Sequence, residues 1–326
     1  MKTTKKILCL VLAMILAIGT LALTSCGGAK YNVGVIQLTQ HPALDAATKG
    51  FEDALKARLG DDVSIDVQNA AGSTDTCATI AGTFETKKVD LIMANATPAL
   101  QAAANATTEI PILGTSITEY GVALEIENFS GTVGGNISGT SDLAPLDQQA
   151  DMISDLFPEA KKVAMLYCSA EANSLYQVQE VTKFLTAKSI ECQSFPFSDS
   201  NDVQMIAQNA ADWADVIYIP TDNTAANCAE AIWGAIADKK VPVIAGEEGI
   251  CGGTGVATLS IDYYDLGYKT GEMAADILEE KADVSTLAIA YTPAEKLKKK
   301  YNKDICDALG INTADLEAKG YVAIEK

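Results

Sequence analysis

Residues 89–98 (VDLIMANATP) form an apolar run that ends in a small polar cluster and then opens a helix. Residues 216–224 (VIYIPTDNT) repeat this pattern in the second half of the chain. The same alternation of strand and helix patterns precedes both stretches. The repeat therefore predicts two similar α/β lobes, whose polar strand ends would face each other across a cleft for a small molecule.

The first half of the chain alternates between strand and helix patterns. Residues 63–67 alternate apolar and polar side chains, which is typical of an edge strand. The predicted elements are strand 31–37, a helix from Pro42, strand 63–67, a helix capped by Ser73, strand 89–94, helix 98–106 and strand 111–113. This order predicts a parallel sheet with helices on both faces.

A glycine-rich segment, residues 131–139 (GTVGGNISG), predicts a crossing between the lobes, because the alternation restarts directly after it. The predicted elements of the second half are helix 146–156, strand 163–167, helix 174–188, strand 190–195, helix 202–212, strand 216–219, helix 224–238 and strand 241–245. The predicted fold class is therefore α/β, with two lobes and the ligand in the cleft between them.

The last part of the chain contains a strand at 256–261, a helix at 263–280, a strand at 287–291 and a Lys-rich tail with two short helices. If the late helix covers the first lobe and the tail covers the second, the chain crosses between the lobes three times. The predicted N-terminal lobe is then 31–141 plus 249–281. The predicted C-terminal lobe is 142–248 plus 282–326.

The N-terminus has the pattern of an export signal. Residues 1–25 carry three lysines and then a predominantly apolar run from Ile7 to Leu23. Small residues precede Cys26, as a lipoprotein signal peptidase requires, so Cys26 is the predicted lipidation site and 26–30 the tether. The alternatives are an ordinary cleaved signal peptide or a short membrane anchor. No later segment has the roughly 20 apolar residues that a spanning helix needs.

The charge and the cysteines exclude several classes of partner. The formal net charge is −19, which argues against binding nucleic acid or an anionic membrane surface. Cysteines 77, 168, 192, 228, 251 and 306 follow Cys26, but no CxxC motif or Cys/His cluster is present. A structural metal site is therefore not expected.

Ligands of open parallel sheets bind outside the carboxyl ends of the strands. The loops at these ends are rich in Asn, Thr, Ser, Asp and Glu; they are 37–41, 95–97, 115–118, 169–174, 221–224, 246–248 and 260–263. Helix N-termini in these loops favour a carboxylate, and acidic side chains would receive an ammonium, so the loops suit a zwitterion. Asp222, in the second copy of the repeat, is the expected ammonium partner. For each residue alone, plain helix capping is the alternative interpretation.

Catalytic signals are few. His41 is the only histidine, and no GxSxG, GxxxxGK[ST], HExxH or GxGxxG motif is present in a suitable context. Arg58 is the only arginine, so a guanidinium clamp on a carboxylate is not expected. We therefore expect a binding protein without catalytic residues, cofactor or metal.

Six ordered motifs together resemble one family. They are residues 33–50 (VGVIQLTQHPALDAATKG), 94–99 (ANATPA), 169–174 (SAEANS), 219–224 (IPTDNT), 245–247 (AGE) and 262–271 (DYYDLGYKTG). The chain resembles the solute-binding lipoproteins of ABC importers in the tryptophan/tyrosine (aromatic amino acid) group. The resemblance implies a type I periplasmic-binding fold with two Rossmann-like lobes, three crossovers and closure around the ligand. Cys168 departs from the small polar residue that is usual in the family.

The resemblance also implies a set of ligand-binding residues at the strand ends. Placed on this sequence, the set is Gln37, His41, Asn95, Thr97, Ser116, Asp142, Asn173, Ser174, Asp222, Asn223, Glu247 and Asp262.

The predicted function is an extracytoplasmic, lipid-anchored and monomeric receptor for an aromatic amino acid. It would hand this small zwitterion to an ABC permease and its ATPase. One alternative is a sensor of the same fold that feeds a signalling system. A second alternative is a lipid-anchored α/β enzyme, which would need a reactive nucleophile or a bound cofactor in the cleft.

Overall fold

The structure is a computed structural model that describes residues 28–325. The predicted signal peptide and the predicted lipidation site Cys26 lie outside these residues. Within 28–325, no helix combines the length and the apolar character needed to cross a membrane.

The described strands and helices alternate over most of the chain. The strands are β1 (Tyr31–Gln37), β2 (Val63–Asn69), β3 (Leu91–Asn95), β4 (Ile112–Ile117), β5 (Ile137–Ser141), β6 (Lys162–Cys168), β7 (Glu191–Phe197), β8 (Val216–Ile219), β9 (Val243–Ala245), β10 (Ala257–Ser260), β11 (Ala290–Tyr291), β12 (Lys298–Tyr301) and β13 (Val322–Ala323). The helices are α1 (Pro42–Leu59), α2 (Thr74–Lys87), α3 (Thr97–Ala106), α4 (Tyr120–Ala123), α5 (Leu146–Leu156), α6 (Ala172–Ala187), α7 (Val203–Trp213), α8 (Asn223–Asn227), α9 (Ala229–Ile236), α10 (Glu248–Gly253), α11 (Tyr263–Leu278), α12 (Lys303–Leu309) and α13 (Thr313–Ala318).

The first lobe is built on a six-stranded parallel sheet in the order β11-β5-β4-β3-β1-β2. All five residues of β3 are buried, because helices cover this inner strand on both faces. The strand β2 lies at the sheet edge, as its alternating sequence predicts.

The second lobe repeats the arrangement with a seven-stranded sheet in the order β13-β12-β10-β9-β8-β6-β7. Its strands are parallel except for the antiparallel pair of β10 and β12. The chain leaves the first sheet after Ser141, returns to the first lobe through α11 and crosses again after Tyr291. The predicted two-lobed α/β fold with three crossings is therefore confirmed.

Helix α11 packs closely on α1, and glycines make this possible. A Cβ atom on Gly267 would lie 1.9 Å from the Ala47 carbonyl oxygen, and one on Gly50 would lie 2.1 Å from the Tyr264 carbonyl oxygen. The first turns of the two helices pack together, with Ala43 and Ala47 against Tyr263, and His41 and Tyr263 at their N-terminal ends both line the candidate site. This contact therefore fixes the relative position of two residues of the candidate site.

The predicted lobe boundaries differ from the sheets in two places. Residues 249–261 were assigned to the first lobe, but β10 pairs with β9 in the second sheet, with Ala257 opposite Ile244. Residues 282–291 were assigned to the second lobe, but β11 pairs with β5 in the first sheet. The alternation of strand and helix patterns gives the order of elements but carries no information on which sheet a late strand joins.

The glycine-rich segment 131–139 was predicted to be the crossing, which is wrong, because its end belongs to β5 of the first sheet. Gly139 has a φ of +144°, and a Cβ atom there would lie 2.1 Å from the Gly114 carbonyl oxygen of β4. Glycine therefore lets these two strands approach. The crossing begins only after Ser141.

Candidate functional site

A narrow cavity lies between the two lobes, where the carboxyl ends of both sheets meet. Its walls come from loops that follow six strands and from the last residues of β4. The lining residues are His41, Leu44, Ser116, Thr118, Asp142, Asn173, Thr221, Asp222, Asn223, Ala226, Glu247 and Tyr263.

The structure brings seven of the twelve side chains expected at the site to this cavity. These are His41, Ser116, Asp142, Asn173, Asp222, Asn223 and Glu247. The other five are described but do not line it; they are Gln37, Asn95, Thr97, Ser174 and Asp262.

Two of these five residues belong to a buried hydrogen-bond network inside the first lobe. The Asn95 Nδ2 atom donates to the Leu44 carbonyl oxygen at 2.9 Å and to Thr48 Oγ1 at 3.0 Å. The Thr48 hydroxyl in turn donates to Gln37 Oε1 at 2.6 Å. These amides hold α1 against the ends of β1 and β3. By contrast, Asp262 is exposed and caps α11 by accepting from the Asp265 backbone N–H at 3.0 Å.

Five lining residues were absent from the expected set. Thr118, Thr221 and Tyr263 lie in loops that follow the carboxyl ends of strands, where the sequence analysis expected the ligand, so their positions could have identified them. Leu44 and Ala226 lie one turn inside helices and are apolar, so neither position nor residue type pointed to them.

Four polar atoms of the cavity wall are buried without a hydrogen-bond partner in the described structure. They are His41 Nδ1, Ser116 Oγ, Asp142 Oδ1 and Asn173 Oδ1. Leaving a buried polar group unpaired costs about 1–3 kcal/mol. Their convergence on one cavity is therefore typical of a site that is completed by a polar ligand.

Asp142 is the carboxyl group of the wall with a free acceptor atom. Its Oδ2 atom accepts a hydrogen bond from the Tyr263 hydroxyl at 2.9 Å, while Oδ1 has no partner. Burial raises the pKa of Asp142 to about 6. A cationic group next to Oδ1 would favour the charged carboxylate.

Asp222 and Glu247 each cap a helix with a carboxyl oxygen, and Asp222 also binds the end of strand β6 with its second oxygen. Asp222 accepts from the backbone N–H groups of Cys168 and Ala225, both at 2.7 Å. Glu247 accepts from the Gly249 N–H at 2.6 Å and from the Ile250 N–H. Burial raises the pKa of both groups, and that of Glu247 reaches about 7. Each oxygen of Asp222 already accepts a backbone hydrogen bond, whereas Asp142 Oδ1 accepts none, so the geometry favours Asp142 over Asp222 for the expected ammonium contact.

Two hydrogen bonds join the lobes beside the cavity. The His41 Nε2 atom lies 3.3 Å from Asn223 Oδ1, and the Asn227 Nδ2 atom donates to Thr39 Oγ1 at 2.9 Å. Both asparagines belong to α8, which is separated from α9 at Cys228, where a single helix was expected. The short helix therefore presents two side chains to the first lobe.

A wider groove of about 720 Å³ adjoins the cavity and opens to solvent. His41, Ala226, Glu247 and Tyr263 line both spaces. Arg58, the only arginine, lies away from both and pairs with Asp276 and Glu279 at 2.6 Å each. Among residues 28–325, no group of three or more His, Cys, Asp or Glu side chains is arranged to hold a metal ion.

A family model and a known protein both match most of this chain. Residues 32–317 match the model of a family described as ABC transporter substrate binding protein. A tyrosine-binding protein from Clostridioides difficile (strain R20291) is 34% identical over 341 residues, which cover 98% of this chain and 96% of that protein.

Two solved structures are similar over nearly the whole described chain. One is the ABC domain in complex with L-Trp from Streptococcus pneumoniae, with a TM-score of 0.84 at 29% identity, covering 92% of this chain and 100% of that chain. The other is the ligand-free, open structure of a substrate binding protein with adhesive properties from Clostridium difficile. Its TM-score is 0.68 at 35% identity, and it covers 90% of this chain and 100% of that chain.

Proposed function

This chain belongs to the family of ABC transporter substrate-binding proteins, and from this premise we propose that it binds a free aromatic amino acid, tyrosine or tryptophan, between its lobes. Members of this family bind substrates and are not enzymes. The tyrosine-binding relative and the L-Trp complex support the choice of ligand class.

The observation that carries the proposal is the set of unpartnered atoms in the cavity. A primary ammonium group has three N–H donors, and Asp142 Oδ1, Asn173 Oδ1 and His41 Nδ1 are available as acceptors. The Ser116 hydroxyl can donate to the carboxylate of the same ligand. Tyr263, which lines both the cavity and the groove, would pack against the aromatic ring.

Lobe closure around the ligand is part of the proposal. The cavity is narrow in the described arrangement, so separation of the lobes would widen the path by which an amino acid enters. The structure is more similar to the L-Trp complex than to the open, ligand-free protein, although its sequence is more similar to the latter. This ranking supports the view that the described arrangement is the closed one.

An amino-acid panel tested by calorimetry would decide the ligand. We expect one of L-tyrosine and L-tryptophan to bind with one-to-one stoichiometry, and we expect no heat from glycine. Binding of an aliphatic amino acid alone would overturn the aromatic ligand. The absence of binding by every amino acid would overturn the function itself.

Substrate-binding proteins of ABC transporters work outside the cytoplasm. We further propose that Cys26 carries a lipid anchor and that this monomeric protein delivers its ligand to a permease and its ATPase. The export signal and the small residues before Cys26 support the anchor. In cells, Cys26→Ala should leave an unlipidated protein, measured by incorporation of a labelled fatty acid. Equal labelling of this variant and the unchanged protein would contradict the anchor.

A further inference from the structure

His41 contacts both the cavity and the opposite lobe through the two nitrogens of one ring. It precedes α1 of the first lobe and is 7% exposed. Its Nε2 atom lies 3.3 Å from Oδ1 of Asn223, the first residue of α8 in the second lobe. His41 lines the cavity, and its Nδ1 atom is buried and has no hydrogen-bond partner in the described structure.

Glu171 determines the orientation of the Asn223 side chain. The Glu171 Oε2 atom accepts hydrogen bonds from Asn223 Nδ2 at 2.7 Å and from the Asn223 backbone N–H at 3.0 Å. A carboxylate only accepts hydrogen bonds, so the amide atom that faces Glu171 must be the nitrogen. The amide oxygen of Asn223 therefore faces His41.

The orientation of Asn223 in turn determines the tautomer of His41. Because Asn223 Oδ1 is an acceptor, His41 Nε2 must carry the proton and donate it. In a neutral ring, Nδ1 is then an unprotonated acceptor. Burial lowers the pKa of His41 and outweighs the hydrogen bond to Asn223 and the charges of Glu171 and Asp45, which favour the charged ring. The buried Nδ1 atom therefore needs a donor from outside the protein.

We propose that His41 is a latch that couples ligand binding to lobe closure: Nδ1 accepts a hydrogen bond from an N–H group of the ligand, while Nε2 donates to Asn223 of the opposite lobe. Glu171 is a positioning residue that acts through Asn223. This inference rests on the proposed function, because the donor is the ammonium group of the amino acid. A ligand without an N–H group at this place would leave Nδ1 unpaired in the closed form.

Because the chain contains one histidine, the latch can be observed directly. In protein purified without a polyhistidine tag, ¹⁵N-labelled histidine gives ring-nitrogen signals that belong to His41 alone. The probe is whichever of L-tyrosine and L-tryptophan binds in calorimetry. At saturation, we expect the tautomer with the proton on Nε2 and a fall in the pKa of His41 relative to the ligand-free protein. Besides His41, the charged or titratable groups that act on the ring or line the same cavity are Asp45, Glu171, Asp142, Asp222, Glu247 and Tyr263.

Three outcomes separate the latch from the function on which it rests. Binding with the proton on Nδ1 would overturn the latch alone, as would binding that leaves the His41 titration unchanged. The absence of binding by every amino acid would overturn the proposed function and the latch with it. The 3-aryl-propionate that lacks the amino group should bind at least about tenfold more weakly than the amino acid, since the acceptors on Asp142, Asn173 and His41 all lose their donor.

A double-mutant cycle tests the coupling between the lobes. His41→Gln and Asn223→Ala should each weaken binding about tenfold, and the double variant should be scarcely weaker than either single variant. Fully additive losses would overturn the latch. Glu171→Gln should allow both tautomers of His41, because a neutral amide no longer dictates the orientation of Asn223. In the matched control, Asn227→Ala removes the hydrogen bond from Asn227 to Thr39 of the opposite lobe and should leave the His41 tautomer unchanged.

Discussion

Asp142 and Tyr263 tie together two of the three chain crossings between the lobes. Asp142 follows the last strand residue before the first crossing, and Tyr263 begins the helix that follows the second. The Tyr263 hydroxyl donates to Asp142 Oδ2 at 2.9 Å. Asp142, the acidic lining residue with an unpartnered oxygen, is therefore positioned by the hinge between the lobes.

This geometry predicts that Asp142 is the main partner of the ligand ammonium. Asp142→Asn keeps the shape of the side chain and removes its charge, so we expect affinity for the amino acid to fall by about 1.5–3 kcal/mol, the range for hydrogen bonds to charged groups. Calorimetry measures the loss. The matched control is Asp262→Asn, because Asp262 is exposed and asparagine caps a helix equally well. Equal effects of the two substitutions would contradict the assignment.

The buried carboxyl groups predict how stability depends on pH. Burial raises the pKa of Asp142 to about 6 and that of Glu247 to about 7, whereas in an unfolded chain both pKa values are about 4. Between these values the folded protein binds more protons than the unfolded chain. The contribution of these groups to the free energy of unfolding therefore falls as the pH rises through this window.

Glu247→Gln should make this decline less steep in the ligand-free protein. Denaturant unfolding at several pH values from 4 to 7 measures the slope. Glu85→Gln is the matched control, because Glu85 is exposed on α2. An unchanged slope in the Glu247 variant would show that this carboxyl does not bind the extra proton.

Much of the fold can be predicted from the sequence pattern. The pattern does not predict which lobe each segment near the C-terminus joins. The parallel order of the first sheet is implied by alternating strands and helices, and β3 is apolar up to its last residue, Asn95, because it is buried on both faces. By contrast, β10 joins the second sheet through its pairing with β9, a contact that no local pattern encodes. The sequence did not predict the strand Lys298–Tyr301. Its three lysines are typical of an exposed tail, and they are equally typical of strands near the edge of a sheet.

The site illustrates the same limit at the level of single side chains. Asn95 and Asn173 both lie at strand ends, so the sequence predicts a ligand contact for each. In the structure, however, Asn95 points into the first lobe and contacts Leu44 and Thr48. By contrast, the difference between Asp222 and Asp142 can be predicted from the sequence, because it depends on where the next helix begins. A helix begins directly after Asp222 and offers backbone N–H groups to its carboxylate, whereas the helix after Asp142 begins only at Leu146.

The close contact between α1 and α11 predicts a defect in both stability and binding. Gly267→Ala would place a methyl group against the Ala47 carbonyl oxygen, so we expect a loss of about 1–3 kcal/mol in the free energy of unfolding. Because the two helices carry His41 and Tyr263 at their N-terminal ends, amino-acid affinity should also fall.

The control for Gly267 is a glycine with free space around it. No heavy atom lies within 4 Å of a Cβ atom built on Gly82 in α2, so Gly82→Ala should stabilise the protein by about 0.5–1 kcal/mol. Denaturant unfolding compares the two variants. Similar effects of both substitutions would contradict the close contact.

Ala96 lies between β3 and α3 in the first lobe. Its backbone conformation predicts an unusual effect of substitution by glycine. Its φ of 89° and ψ of 155° are adopted almost only by glycine, at a cost of about 1–3 kcal/mol for other residues. Its backbone is held by hydrogen bonds from its N–H to the Thr115 carbonyl and from the Leu100 N–H to its own carbonyl. Ala96→Gly relieves this strain but loses a buried methyl group and gains chain entropy in the unfolded state.

These opposing contributions should nearly cancel, so we expect Ala96→Gly to change the free energy of unfolding by less than about 0.5 kcal/mol. Ala99, equally buried one turn later in α3, has no strain to relieve, and Ala99→Gly should cost about 1–2 kcal/mol. Denaturant unfolding of the two variants gives the comparison. A loss at Ala96 as large as that at Ala99 would mean that the backbone there adopts an ordinary conformation in solution.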